Sequence, residues 1–277
     1  MSELRALAER CWRVLETIHV AVYFAPEPTA AYAELGIRPR AGYFVSRSAA
    51  MGAVSPEVTI AAFYVFAPGL VRHVMRGCWE LATPERVQEA RRHGIGHALH
   101  RTLGDPDVTE AVDLARELCA GFEPHGRALY AGHAALPWPE DPLLALWHAA
   151  TLVREHRGDA HMAALLLSGV DPVESLITGG IASDRTTFFQ QTRGWSEEEW
   201  AAGEGRLREG GLLAADGTMT EVGQRRRDHI EQRTAHATEP AWRRFGVDRA
   251  ARLLELTRPL ARTIADGDLL PNSLTRR

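Results

Sequence analysis

Five times in this chain a Ser, Thr or Asp stands directly before a proline: Ser55-Pro56, Thr83-Pro84, Asp105-Pro106, Asp141-Pro142 and Asp171-Pro172. Each pair joins a side-chain acceptor suited to a helix N-cap to the one residue whose missing N–H costs nothing at the first helical position. Ser196 with Glu199 adds a full capping box. Between these starts, apolar residues recur at helical spacing. The signals predict helices over roughly 3–24, 29–35, 55–66, 69–80, 84–103, 106–121, 141–168, 171–181, 196–209, 220–237 and 247–265. The one strand signal is "LLAADGTMT", 212–220, where Asp216-Gly217 reads as a hairpin turn. The expected class is mainly α.

A chain of 277 residues that is 45% hydrophobic can build one large core or two ordinary ones. It shows neither a secretory leader pattern nor a run of about 18 apolar residues, so the expectation is a cytoplasmic protein with no membrane partner. Cys11, Cys78 and Cys119 are far apart and odd in number, which suggests neither a disulfide framework nor a cysteine zinc site. All 32 basic residues are arginine, and the formal charge of -4 supplies no general attraction for a polyanion. Nucleic-acid binding would need a local basic face.

Residues 195–236 read "WSEEEWAAGEGRLREGGLLAADGTMTEVGQRRRDHIEQRTAH". A capped helix, Gly210-Gly211-Leu212, a short hairpin and Thr220-x-x-Gly223 opening a further helix resemble the recognition helix, wing and following helix of MarR-type winged-helix proteins. The last helix, "RAARLLELTRPLARTI", would take the place of the helix such proteins use to dimerise. A fainter internal repeat joins Trp12, Gly36-Ile37-Arg38-Pro39 and "FAPGLV" to Trp147, Gly169-Val170-Asp171-Pro172 and "LREGGLL". This order divides the chain into a helical half, 1–137, readable as a degenerate winged-helix repeat, and a MarR-like winged-helix half, 138–277. One chain would then imitate a dimer; a homodimer is the other expectation.

Taken whole, through "AVYFAPEP", "GYFVSRSAAMG", "WHAATLVREHRGDAH", "RGWSEEEW" and "DHIEQRTAH", the sequence resembles an actinobacterial helix-turn-helix family without an assigned activity. Where that family often carries asparagines, this chain has Phe63-Tyr64-Val65-Phe66-Ala67-Pro68. The resemblance implies a fold and no reaction.

DNA reading is disfavoured on charge. The recognition helix would set Glu197, Glu198, Glu199, Glu204 and Glu209 against only Arg206 and Arg208, and the wing carries no basic residue. Arg225, Arg226 and Arg227 lie on the next helix, where a charge run usually means a solvated face.

The stretch that points to chemistry is "REHRGDAH", 154–161, a polar island inside a helix that is apolar all round before and after it. Such a helix is buried, so the island's charges need partners or a cavity. At 100° per residue His148, Glu155 and Asp159 share one face with His156 at its edge, and Arg154, Arg157 and His161 lie nearly opposite. Either arginines from other helices, such as Arg47, Arg127 or Arg193, satisfy the carboxylates as ion pairs, or the groups line a ligand pocket. In the pocket reading Glu155, His156, Asp159 and His161 are the reacting or anchoring groups. His19, Tyr23, Tyr43, Arg47, Trp147, His148, Arg154 and Arg157 would bind a planar or anionic organic ligand. A metal site is disfavoured because His156 and His161 are five apart rather than four; haem, which needs one histidine, stays open as a cofactor.

The function expected is therefore binding of a small organic molecule between two winged-helix-like halves without DNA recognition, with acid/base chemistry left open. The alternative is a MarR-like, ligand-responsive transcription regulator. A third is a structural role with the island as an ion-pair network.

Overall fold

The structure, a computed structural model, describes residues 3–271. Its elements in order are α1 (Glu3–Phe24), α2 (Pro26–Glu34), α3 (Pro39–Ser48) followed by a 3-10 turn (Ala49–Met51), α4 (Pro56–Phe63), α5 (Pro68–Met75), α6 (Cys78–Leu81), α7 (Pro84–Leu103), α8 (Thr109–Ala120), α9 (Ala128–Ala134), α10 (Pro142–Leu167), α11 (Pro172–Ser183), α12 (Thr186–Arg193), α13 (Glu197–Glu209), α14 (Glu221–Phe245) and α15 (Val247–Asp266). The class is mainly α. Among the described residues no strand forms; the expected hairpin is reduced to one antiparallel bridge, Leu213 to Met219. The turn between them closes through Gly217 N–H to Ala214 O and through Asp216 Oδ1, which accepts from Thr218, leaving no length for a ladder.

Caps explain which helix limits the sequence predicts well. Asp171 and Ser196 accept from the amides of Glu174 and Glu199, whose carboxylates return the bond, and Thr83 accepts from Arg86 N–H. Where the structure departs, another interaction has taken the cap. Asp105 is bonded to His100 instead, so α8 starts at Thr109, whose amide donates to Asp107. Gly77, at φ +72, breaks the expected 69–80 helix into α5 and α6. Neither α3, α9 nor α12 has a side-chain cap from its own N-cap residue, and no cap signal announced them. Helix α14 continues through Pro240 because Ala241, Trp242 and Phe245 beyond it are buried in a core.

The chain forms two compact units. Unit 1 comprises the described parts of Met1–Val54, Gly77–Asp159 and Ala237–Arg277; unit 2 is Ser55–Arg76 with Ala160–His236. Helices α10 and α14 contribute to both.

Unit 1 has a large apolar core built from α1, α7, α8, the first part of α10 and α15, including Leu15, Ile18, Ile95, Leu99, Leu118, Leu146 and Leu253. Helix α2 lies on α7 so closely that a Cβ on Gly94 would stand 2.5 Å from Pro28 Cα. Gly132 likewise lets α9 meet the 3-10 turn, its missing Cβ falling 2.5 Å from Ala50 O.

Unit 2 is held by Val173, Leu176 and Ile177 of α11 against Trp200 and Leu207 of α13, with Leu212 and Leu213 of the bridged turn that follows. The expectation that α10 is buried to its end fails here: Leu166 and Leu167 are 64% and 76% exposed.

Candidate functional site

The wheel of α10 places Glu155 among apolar neighbours, and the structure leaves it wholly buried. Arg47 on α3 grips it side-on, Nε to Oε1 at 3.1 Å and Nη2 to Oε2 at 2.8 Å, the bidentate fork that matches a carboxylate. Arg154 also reaches it, Nη1 to Oε2 at 2.8 Å. Burial alone would raise the Glu155 pKa, but the charges of Arg154 and Arg47 outweigh it and hold the carboxyl well below its usual range. The division of the island into opposed faces therefore does not hold for Arg154. Its long side chain curls back over the neighbouring residue, an option that Cβ directions do not describe. Of the arginines proposed as partners, Arg47 is the one bonded to Glu155. Arg127 donates to the carbonyls of Glu123, His125 and Ala237, and Arg193 packs over Phe66, Phe188 and Phe189 in unit 2.

A second layer surrounds this ion pair. Arg47 Nη1 donates to the Tyr43 hydroxyl at 2.7 Å. His19 sits between Thr151 Oγ and Tyr23 Oη, both at 2.9 Å. Thr151 spends its proton on Trp147 O, so its oxygen accepts from His19 Nδ1–H, and His19 Nε2 accepts from Tyr23. The result is a directed chain, Tyr23 to His19 to Thr151 to Trp147 O. Burial, helped by Arg154, keeps His19 neutral, its pKa well below the usual histidine value.

The other island residues separate. His156 stacks on Phe122, ring centroids 4.2 Å apart, and meets the edge of Tyr130; burial lowers its pKa to about 3. Asp159 Oδ2 accepts the Tyr130 amide at 2.9 Å and so caps α9 from outside; burial still raises its pKa to about 6. Arg157 lies 4.0 Å over the Trp12 ring. His148 packs against Trp138, burial taking its pKa to about 4. His161 belongs to unit 2 and bonds Thr234 Oγ at 3.0 Å. Of the four residues expected to react, only Glu155 stands in the arginine cluster. Among the described residues no group of three or more His, Cys, Asp or Glu side chains could hold a metal ion.

Two residues of the cluster carried no expectation. Arg91 on α7 is completely buried, with the faces of Tyr23 and Trp147 5.7 and 5.3 Å from its guanidinium carbon. Among the described residues its one hydrogen bond is weak, Nη1 to Ser46 Oγ at 3.3 Å; Nε and Nη2 are buried and have no partner there. This is the same edge with which Arg47 holds Glu155. His133 on α9 is also buried; its Nδ1 bonds Leu129 O at 2.9 Å and its Nε2 has no partner. A signal for both was present: Arg91 continues the buried stripe of Val87, Ile95 and Leu99, and His133 that of Leu129 and Tyr130.

In unit 2 the arginines of α13 and of the first turns of α14 are paired within the chain. Arg206 Nε bonds Asp171 and Glu174, each at 3.1 Å, and Arg208 bonds Glu204 at 2.9 Å. On α14, Arg226 donates to Ser168 O at 2.7 Å, while Arg225 and Arg227 face Glu221 and Glu231 at 3.5 and 3.7 Å.

Among known proteins, the model of a helix-turn-helix family matches residues 8–271. No curated protein and no solved structure matches the chain.

Proposed function

The chain belongs to this helix-turn-helix family, and we propose that the protein binds a small organic carboxylate in unit 1 and that a MarR-like winged segment in unit 2 has given up reading DNA. The observation that carries the reading is the unpartnered Nε–Nη2 edge of the wholly buried Arg91. A guanidinium cannot shed its proton, and an uncompensated buried charge is among the most unfavourable groups a fold can hold. In the surrounding cluster Glu155 is shared by Arg47 and Arg154, and Glu16 lies 3.8 Å from Arg154, so both carboxylates are taken up by other arginines. An incoming carboxylate, lying on the Nε–Nη2 edge as Glu155 lies on Arg47, would balance this charge. In this reading Arg47, Arg154, Glu155, His19, Tyr23, Tyr43 and Trp147 frame the ligand, and His156, Asp159, His148 and Arg157 hold the helices around it, while His161 serves unit 2.

Calorimetry with benzoate as the probe tests the proposal. Saturable binding that Arg91→Met abolishes is the expected result. The unliganded Met variant should be as stable as the wild type or more so, because it removes a poorly satisfied buried charge. Absence of binding by the wild type, or binding unchanged in Arg91→Met, overturns it.

The loss of DNA reading rests on the five glutamates of α13 and on the engagement of Arg206 and Arg208 by Asp171, Glu174 and Glu204. The family's helix-turn-helix description favours the second reading, a ligand-responsive regulator. Gel-shift assays against random and genomic duplexes separate the two: a specific, salt-sensitive complex lost in an Arg206→Ala, Arg208→Ala double variant would establish the regulator.

A further inference from the structure

Within range of the Arg91 charge, His133 presents a bare imidazole nitrogen. Its Nδ1 faces a carbonyl, which can only accept, so Nδ1 carries the proton of the neutral ring and Nε2 is an acceptor lone pair. Burial and the nearby charge of Arg91 and Arg47 outweigh the pull of Glu155 and hold the ring neutral, its pKa lowered to about 3. The elements bring these groups together. Gly132 lets α9 close on the 3-10 turn that follows Ser46 and Arg47, and Gln88 of α7 donates to Ser46 O at 3.0 Å, one helical turn before Arg91. Nε2 of His133 and the Arg91 edge are thus opposite in kind, an acceptor and a pair of charged donors, both buried and both without a protein partner. A simple carboxylate has no hydrogen to offer the first.

We propose that the ligand of unit 1 is a protic acid: a carboxylate held by Arg91 whose hydroxyl or N–H group donates to His133 Nε2. This rests on the carboxylate reading above and narrows it to hydroxy acids and their N–H counterparts. A purely apolar acid would bury Nε2 unbonded and bind more weakly, since a buried acceptor left without its donor loses its hydration for nothing in return.

The test compares benzoate with 2-, 3- and 4-hydroxybenzoate by calorimetry on the wild type, His133→Phe and His133→Gln. At least one hydroxylated isomer should bind the wild type about tenfold more tightly than benzoate. In His133→Phe the ratio of hydroxybenzoate to benzoate affinity should fall below about twofold; His133→Gln, whose side-chain oxygen can accept, should restore part of it. The nitrogen resonance of His133 Nε2 gives a reading in the unmutated protein: it should move on adding the favoured hydroxy acid and stay in place with benzoate. If benzoate binds through Arg91 but no isomer exceeds it, or the gain survives in His133→Phe, this inference alone falls. If no acid binds, the carboxylate reading falls with it.

Discussion

Asp159 is a carboxylate whose role is to cap a helix it does not belong to. It accepts the Tyr130 amide, yet burial raises its pKa from 3.8 to about 6. A carboxyl with a raised folded pKa contributes stability that is fully present below pH 3.8 and lost as the pH climbs through 6. Two pKa units correspond to about 2–3 kcal/mol. Asp159→Asn, which keeps an acceptor and cannot ionise, should therefore gain on the wild type between pH 4 and 7 in urea unfolding; a constant difference across that range would refute the assignment. Glu155 has the opposite character. Replacing it with Gln leaves Arg47 and Arg154 facing a neutral amide in a buried site, and the expected loss is about 3–5 kcal/mol at pH 7. Equilibrium denaturation measures it, and a loss below about 1 kcal/mol would mean that solvent reaches the pair. The need for partners at Glu155 was legible in its apolar surroundings. Which arginine answers was not, because Arg47 is 108 positions away.

At the scale of elements, packing of α2 on α7 depends on an absent side chain. Gly94→Ala would gain helix propensity but place its Cβ 2.5 Å from Pro28 backbone, which cannot swing aside. A net loss of about 1–3 kcal/mol is expected from overpacking, read as a lowered melting temperature. An unchanged or raised value would show that α2 shifts freely. The cap at Ser196 should behave more gently: Ser196→Ala removes the bond to the Glu199 amide and should lower stability by about 1 kcal/mol in the same assay. Elements of this kind were readable in advance because a cap and its helix lie within four residues. Helix α9 was not, since its N-terminal amide is satisfied by Asp159, 29 positions on.

At the scale of the molecule, the proposed ligand groups Arg47, Arg91 and His133 all belong to unit 1, whereas α11 and α13 belong to unit 2. Hydrogen exchange with saturating benzoate should slow in peptides covering α3, α7 and α9 and leave α11 and α13 unchanged. Slowed exchange in α13 would instead support the regulator.

By itself the sequence determined the helical class, most long helices, the Ser196 capping box and the burial of the island around Glu155, since each follows from interactions within one or two turns. Only the tertiary structure decided that Arg47 and Arg154 close that island, that His156 and Asp159 serve packing and capping, and that Arg91 and His133 stand with unmet hydrogen-bonding groups beside them. The units are discontinuous, with α10 and α14 contributing to both, so no reading of breakers along the chain supplies them. The reason is common to all of these. A hydrogen-bonding group is satisfied by whatever the fold brings within about 3 Å, and the residue spacing that writes helices into a sequence carries no record of that.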